Sequence, residues 1–81
     1  MDIRKLFGAN VRRFRIAASL SQEAVAARMG VDRAYVSALE RGAQNATLLS
    51  VWETAQALGV RPVELFTEVA PDQADEETPP G

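Results

Sequence analysis

Apolar residues recur at spacings of three and four along most of this chain, which is the pattern of helices that each bury one face. The first helix is predicted over about residues 3–18, where Phe7, Val11 and Phe14 form the buried stripe. Similar spacings continue to about residue 66. The pattern therefore predicts an all-α fold.

A short second helix is predicted over the stretch QEAVAARM, which follows Ser21. Val25 and Met29 lie four residues apart on its apolar face. Ser21 is a natural N-cap for this helix. Gly30 ends it, because glycine takes the left-handed conformation without steric cost.

A third helix follows after a turn of about three residues. Asp32 is its expected N-cap, and Val36 and Leu39 point to the same side. Two short helices joined by a turn with glycine, and the small Ala26 where they cross, are typical of a helix-turn-helix. The predicted motif covers residues 22–41.

The third helix exposes a compact face that suits the major groove of DNA. Arg33, at its N-terminal end, can donate two hydrogen bonds to O6 and N7 of guanine. Ala34 and Ala38 are short enough to let the helix approach and can contact a thymine methyl group. Ser37 can reach a phosphate or a base, and Tyr35 can do the same or pack over the turn.

Two further helices are predicted downstream. Thr47 caps a fourth helix that ends at Gly59, and Pro62 suits the first turn of a short fifth helix. The single tryptophan, Trp52, is expected in the core. The expected apolar stripe of the fourth helix contains Leu48, Val51, Trp52, Ala55 and Leu58.

Three stretches of the chain carry a resemblance to a known family. SQEAVAARMGV, DRAYVSALERG and ATLLSVWETAQALGVRPVELF are similar to the phage repressor/Cro type (XRE family) of DNA-binding domain, from about Phe7 to Phe66. The segment DRAYVSALER is most similar to the small controller proteins of restriction–modification systems. The resemblance implies a five-helix repressor-like fold and a transcriptional regulator that binds a palindromic operator as a homodimer.

The resemblance also implies roles for single residues. Gln22 matches a glutamine that contacts phosphate, and Arg15 and Glu40 match a structural ion pair that fixes the third helix against the first. The family usually has glycine where this chain has Ser19, which is a poorer left-handed cap.

Phosphate contacts are expected around the recognition helix. The N-terminus of the second helix is an anion site to which Ser21 and Gln22 can add donors. Arg12 and Arg13 on the first helix can reach phosphates, or they remain on a solvated surface. Gln44 and Asn45, in the loop before the fourth helix, have side chains that can bond phosphate.

A second copy of the chain is the expected partner on DNA. One short helix reads few bases, and two half-sites about 34 Å apart match the repeat of B-DNA. Leu49 falls off the predicted core stripe, and several apolar residues near the C-terminus exceed what a small core needs. The predicted dimer interface is therefore Leu49, Val60, Val63, Phe66 and Val69.

Charge divides the chain into two parts. Residues 1–67 hold all nine lysines and arginines and six acids, a net charge of +3, whereas residues 68–81 hold five acids and no base. We expect residues 1–67 to form the DNA-binding domain, and residues 70–81 to be a disordered acidic tail because they have almost no apolar residue.

Several function classes have little support. The chain has no cysteine and no histidine, and it has no phosphate-binding loop or nucleophile–base set. We expect no enzyme activity, no cofactor and no metal. No apolar run approaches a membrane span, and MDIRKLFG lacks the core of a signal peptide, so a cytoplasmic location is expected.

Another class of function uses the same fold. An antitoxin-like or adaptor module would bind proteins, and a toxin–antitoxin regulator would combine both activities. A protein-binding third helix should expose large apolar residues, whereas this one exposes arginine and alanine. RNA polymerase or another regulatory protein is a further candidate partner.

Overall fold

The computed structural model describes residues 1–68 and contains helices and connecting turns, without strands in that range. The all-α prediction is confirmed. The elements are α1 (Ile3–Ala17), α2 (Gln22–Met29), α3 (Arg33–Glu40), α4 (Leu48–Leu58) and the 3-10 helix (Pro62–Phe66). The last element takes the 3-10 form, which is common in such short pieces, where the sequence predicts an ordinary short helix. Val69 and the predicted disordered tail, residues 70–81, lie outside the described residues.

The helix ends lie where the predicted caps place them. The side chains of Ser21 and Thr47 accept hydrogen bonds from amides three residues on, at the starts of α2 and α4. Gly30 and Gly59 end these helices in the left-handed conformation. Asp32 starts α3, but its side chain makes no capping hydrogen bond.

Ser19 also takes the left-handed conformation, with φ of 58°. It is the one residue other than glycine with positive φ among residues 1–68. Its amide donates to the carbonyl of Ile16 at 2.9 Å, and the Leu20 amide donates to that of Arg15 at 3.0 Å. The α1–α2 turn thus has the left-handed geometry that glycine favours. A serine in this conformation has a steric cost, because its Cβ atom lies close to the following carbonyl oxygen.

The core takes apolar side chains from all five elements. Those that are buried are Phe7, Val11, Val25, Ala26, Val36, Leu39, Ala55, Ala57, Leu58 and Leu65. Phe14, the third residue of the predicted α1 stripe, is partly buried and packs against this cluster. The helix-turn-helix is therefore held by α1 behind it and by α4 and the 3-10 helix beside it.

A glycine sets the distance between α1 and α3. A Cβ atom added at Gly8 would lie 2.8 Å from the carbonyl oxygen of Glu40 and closer still to that of Leu39. Both are backbone atoms, so neither can move aside alone. The absence of a side chain at Gly8 lets the C-terminal end of α3 pack directly on α1.

A buried asparagine joins the 3-10 helix to α1. Asn10 is 2% exposed, and its Nδ2 lies 3.0 Å from the Leu65 carbonyl oxygen and 2.9 Å from that of Thr67. Its Oδ1 accepts a hydrogen bond from Arg13 Nη2 at 2.8 Å. The Phe7 and Phe66 rings pack nearby, with centroids 5.4 Å apart. Polar and aromatic contacts thus hold the end of the described chain onto α1.

The predicted stripe of α4 is wrong at two positions. Leu48 is 90% exposed and Trp52 is 52% exposed, whereas Thr54 and Ala55 are fully buried. The Thr54 hydroxyl donates to the Ser50 carbonyl oxygen at 2.6 Å, which satisfies it inside the fold. The buried face of α4 therefore combines small side chains with Leu58, and Leu48, Leu49 and Trp52 point outward.

Gly8→Ala tests the close approach of α1 and α3. Alanine inside a helix normally stabilises by about 0.5–1 kcal/mol relative to glycine. Here we expect a loss of about 1–3 kcal/mol, because the new methyl group meets backbone carbonyls. Urea denaturation measures the difference. Ala9→Gly, on the exposed side of α1, is the control for the ordinary propensity effect, and a Gly8→Ala protein at least as stable as wild type would contradict the packing.

Candidate nucleic-acid interface

The outer face of α3 carries the residues predicted to read DNA. Val36 and Leu39 are 0% and 1% exposed and hold the helix on the core, so its opposite side faces solvent. Arg33 and Ala34 are exposed there, and Ser37 and Ala38 are partly exposed. The protruding side chains are small apart from arginine, so this face can enter a groove closely.

Arg33 is bonded to Gln22, at the start of α2. Arg33 Nη1 donates to Gln22 Oε1 at 3.0 Å. The predicted base-reading residue and the predicted phosphate-contacting residue therefore touch each other. This contact brings the N-terminal ends of α2 and α3 to one edge of the surface.

Gln22 is in turn bonded to the ion pair that the family resemblance implies. Gln22 Nε2 donates to Glu40 Oε1 at 3.0 Å. Arg15 donates to the same carboxylate, from Nε to Oε2 at 2.6 Å and from Nη2 to Oε1 at 3.1 Å, and its Nη1 donates to the Leu20 carbonyl at 2.9 Å. The structure thus places Arg15 and Glu40 in a two-pronged pair between α1 and α3.

Burial makes this pair unlike an exposed one. The Glu40 side chain is 4% exposed and that of Arg15 is 14% exposed. The hydrogen bonds to Glu40 raise the pKa of Arg15 above its ordinary value, despite the opposing effect of burial. The Arg15 guanidinium therefore keeps its charge, and with it the pair, far into the alkaline range.

Arg41 belongs to the same surface, although it is not among the predicted DNA contacts. Arg41 follows α3 directly, and its Nη1 donates to Ser37 Oγ at 2.7 Å. Arg33, Ser37 and Arg41 are four residues apart in turn, so they follow one side of the helix. That spacing is the signal that could have found it. The exposed face of α3 therefore has a positive charge at each end.

Tyr35 is oriented toward α4. Its hydroxyl donates to Ser50 Oγ at 2.9 Å, and Thr47 Oγ1 lies 3.1 Å from the same atom. The Tyr35 ring is partly buried and packs against the core. The packing alternative for Tyr35 thus has a structural basis, and its hydroxyl bond to α4 is part-buried.

The other residues predicted to contact DNA lie on α1, at the start of α2 and in the α3–α4 loop. Ser21 Oγ accepts from the amide three residues on at 3.0 Å, so the side chain acts as a helix cap. Arg13 lies over the neighbouring phenylalanine ring, 4.4 Å from its centroid, and Arg12 is exposed beside it. Gln44 is partly buried and Asn45 is exposed in the α3–α4 loop.

Apolar side chains remain exposed on α4 and the 3-10 helix. Of the predicted dimer residues, Leu49 is 63% exposed, Val63 is 62% exposed and Phe66 is 38% exposed. Val60 is partly buried and packs against the core. A groove of about 230 Å³ continues this surface and is lined mainly by Ile3, Phe7, Leu48, Val51 and Phe66.

The described part of the chain has neither a cluster of metal-binding side chains nor a candidate membrane span. No group of three or more metal-binding side chains lies together in residues 1–68. No helix there is both long and apolar enough to span a bilayer.

Glu40→Ala tests the ion pair. Removing one partner of a buried pair leaves an uncompensated charge, so we expect a loss of about 3–5 kcal/mol in the free energy of unfolding. Arg4→Ala breaks the more exposed Arg4–Asp2 pair and should cost at most about 1 kcal/mol. Chemical denaturation compares them, and equal losses for the two variants would contradict a structural role for Glu40.

Comparisons with known proteins agree with the geometry. The helix-turn-helix family model matches residues 11–65. The uncharacterized HTH-type transcriptional regulator y4dJ of Sinorhizobium fredii is 52% identical over 67 residues, which cover 83% of this chain and 87% of that protein.

Solved structures give the same result. The restriction-modification controller protein C.AhdI from Aeromonas hydrophila is 43% identical, with a TM-score of 0.75 over 78% of this chain and 96% of that one. The controller protein C.Esp1396I, solved as a tetramer with its natural 35 base-pair operator, is 26% identical, with a TM-score of 0.74 over 82% of this chain and 87% of that one. The chain belongs to the helix-turn-helix family of the phage repressor/Cro (XRE) type, as the sequence motifs indicated.

Proposed function

We infer that this protein is a sequence-specific DNA-binding transcriptional regulator that reads its operator with α3. The main support is the exposed face of α3, where two arginines flank small side chains. The core residues of α3 lie on its opposite side, so contact with DNA does not require them. Small residues allow a helix to lie deep in the major groove, and a guanidinium is the commonest reader of guanine. The controller proteins of restriction–modification systems are relatives of similar size, and we propose the same class of regulator here.

Each part of the α3 face, and the start of α2 beside it, has a role in the proposed DNA binding. Arg33 reads guanine, Ala34 and Ala38 admit the helix, and Ser37 with Arg41 contacts the next phosphate or base. The α2 N-terminus, whose first amides have no acceptor within the helix, holds a phosphate together with Ser21. The remaining expected phosphate contacts are Gln22, Arg12, Arg13, Gln44 and Asn45.

Binding as a homodimer is supported by the exposed apolar residues. Leu49, Val63 and Phe66 are exposed in the single chain, and exposed apolar area of this kind can mark a protein-interaction site. A two-fold dimer would place two copies of α3 on successive turns of a palindromic operator. The relative C.Esp1396I was solved as a tetramer on its operator, which supports self-association on DNA.

The protein-interaction alternative has less support. A protein-binding α3 would present large apolar side chains, and the one large ring of this face, Tyr35, is bonded to α4. Exposed apolar area lies instead on α4 and the 3-10 helix, where it suits a second copy. Contact with RNA polymerase and a cytoplasmic location remain proposals that follow from the regulator function.

The charge distribution is consistent with a DNA-binding unit followed by a separate acidic tail. We propose that residues 1–67 form the DNA-binding unit, which includes the family match at 11–65, and that the acidic residues 70–81 are a separate tail. The net charge of +3 on the first part favours approach to DNA, and acids in the second part disfavour it.

Arg33→Ala tests base reading. We expect a loss of about 1–3 kcal/mol on a site selected from random DNA, and a relaxed preference at one guanine in each half-site. Arg13→Ala should weaken binding to all sequences alike or leave it unchanged, because phosphates carry no base information. Isotherms at one salt concentration, on the selected site and on a copy with that guanine replaced, make the comparison. Equal losses on both DNAs for Arg33→Ala would move base reading to Tyr35 or Ser37.

Leu49→Asp tests the dimer. The side chain is 63% exposed in the single chain, so a charge there should leave the monomer folded but weaken self-association. Phe66→Asp should weaken it too, although the Phe66 ring packs on Phe7 and stability will also fall. Sedimentation at several concentrations, with Glu53→Asp on α4 as control, gives the answer. A wild-type monomer at high micromolar concentration, or an unchanged dimer in Leu49→Asp, would contradict the predicted interface.

A further inference from the structure

Four polar side chains form a continuous line from α1 to the DNA-facing end of α3. Arg15 donates to Glu40, Gln22 donates to Glu40, and Arg33 donates to Gln22, at distances between 2.6 and 3.1 Å. Burial is greatest at Glu40 and decreases from there toward Arg33. Glu40 and Arg15 are nearly or mostly buried, Gln22 is half-buried, and Arg33 is exposed.

We propose that Gln22 and Glu40 are positioning residues for Arg33 and thereby determine how well this protein discriminates guanine, an inference that rests on the regulator function proposed above. Arg15 holds the Glu40 carboxylate in place. Glu40 sets the orientation of the Gln22 amide. The amide oxygen then holds one Nη1–H group of Arg33.

The direction of the line follows from the chemistry of its members. A carboxylate only accepts hydrogen bonds, so Gln22 must turn its NH₂ group toward Glu40. The carbonyl oxygen of that amide then necessarily points away from Glu40, toward Arg33. An arginine only donates, so Arg33 requires that oxygen. A glutamine without the buried carboxylate could take either orientation, and in one of them it would turn its NH₂ group, a donor, toward the guanidinium.

The anchored guanidinium is suited to bidentate reading. Arginine has five N–H donors, and the bond to Gln22 uses one of them. Four remain for guanine O6 and N7. A long exposed side chain loses rotamer freedom when it binds, and a side chain already held in one orientation loses less. The wrong base gains nothing from this pre-organisation, because it lacks the matched pair of acceptors.

Gln22→Met removes the link and keeps the shape of the side chain. The measured quantity is the ratio of two affinities at one salt concentration, that for the selected operator and that for the operator with the Arg33-dependent guanine replaced. We expect this ratio to fall by roughly 2- to 12-fold, the range of one hydrogen bond. Loss of a phosphate contact by Gln22 would weaken both DNAs equally and leave the ratio unchanged.

Gln56→Met is the control. Gln56 is an exposed glutamine on α4, outside the proposed DNA-binding surface, and among residues 1–68 its side chain has no hydrogen bond to Arg33 or Glu40. Its substitution should leave the ratio unchanged. In an Arg33→Ala background, Gln22→Met should cause no further loss of the ratio, because the residue that it positions is gone.

Glu40→Gln is the second variant. It keeps the size of the side chain but can donate as well as accept, so the Gln22 amide is no longer fixed in one orientation. We expect the ratio to fall here too, at a temperature at which circular dichroism shows the variant folded. Should Glu40→Gln fail to fold, the Gln22→Met ratio and its Arg33→Ala cycle decide the question alone.

The outcomes separate the positioning role from the regulator function on which it rests. A wild-type protein that prefers no DNA sequence would contradict the regulator function itself. A wild-type preference that Arg33→Ala relaxes but Gln22→Met leaves intact would overturn the positioning role while the regulator function stands. Additive losses in the double variant would also overturn it, since Gln22 would then act on DNA independently.

Discussion

The Glu40 carboxylate is the point on which the arrangement of α1, α2 and α3 depends. It is 4% exposed, it lies at the C-terminal end of α3, and it accepts from Arg15 on α1 and from Gln22 on α2. A buried charge is costly unless all its hydrogen bonds are made. Because two other helices supply those donors, a displacement of any one of the three leaves this charge poorly satisfied.

Close packing supports the same arrangement. Gly8 lets the α3 carbonyls beside Glu40 approach α1, so the ion pair joins two helices whose backbones are already in close contact. Asn10 ties the 3-10 helix to α1 near the same point. The recognition helix therefore lies on a scaffold fixed by backbone contact and polar bonds as well as by a small apolar core. That rigidity suits a helix whose side chains must meet base edges in one register.

The outer surface divides into a basic face and an apolar face. Around α3 the exposed side chains are basic or small, and around α4 and the 3-10 helix they are apolar. The proposed dimer would bury the second set while presenting two copies of the first to DNA. Half-exposed Trp52 lies among those apolar residues on α4, so the proposed dimer would cover it as well.

Local chemistry along the chain is enough to predict the helices, and the resemblance of three stretches indicates the family, whereas the contacts between helices depend on the packed fold. Caps such as Ser21 and Gly30 act on neighbouring backbone groups, so the sequence alone locates the helix ends. Whether Trp52 points outward depends instead on how α2 and the 3-10 helix pack against α4. The helical period of the sequence carries no information about that packing. The bond from Gln22 to an arginine eleven residues away takes its direction from Glu40, eighteen residues from Gln22. Local spacing cannot predict such a line of bonds, because it exists only after three helices have packed together.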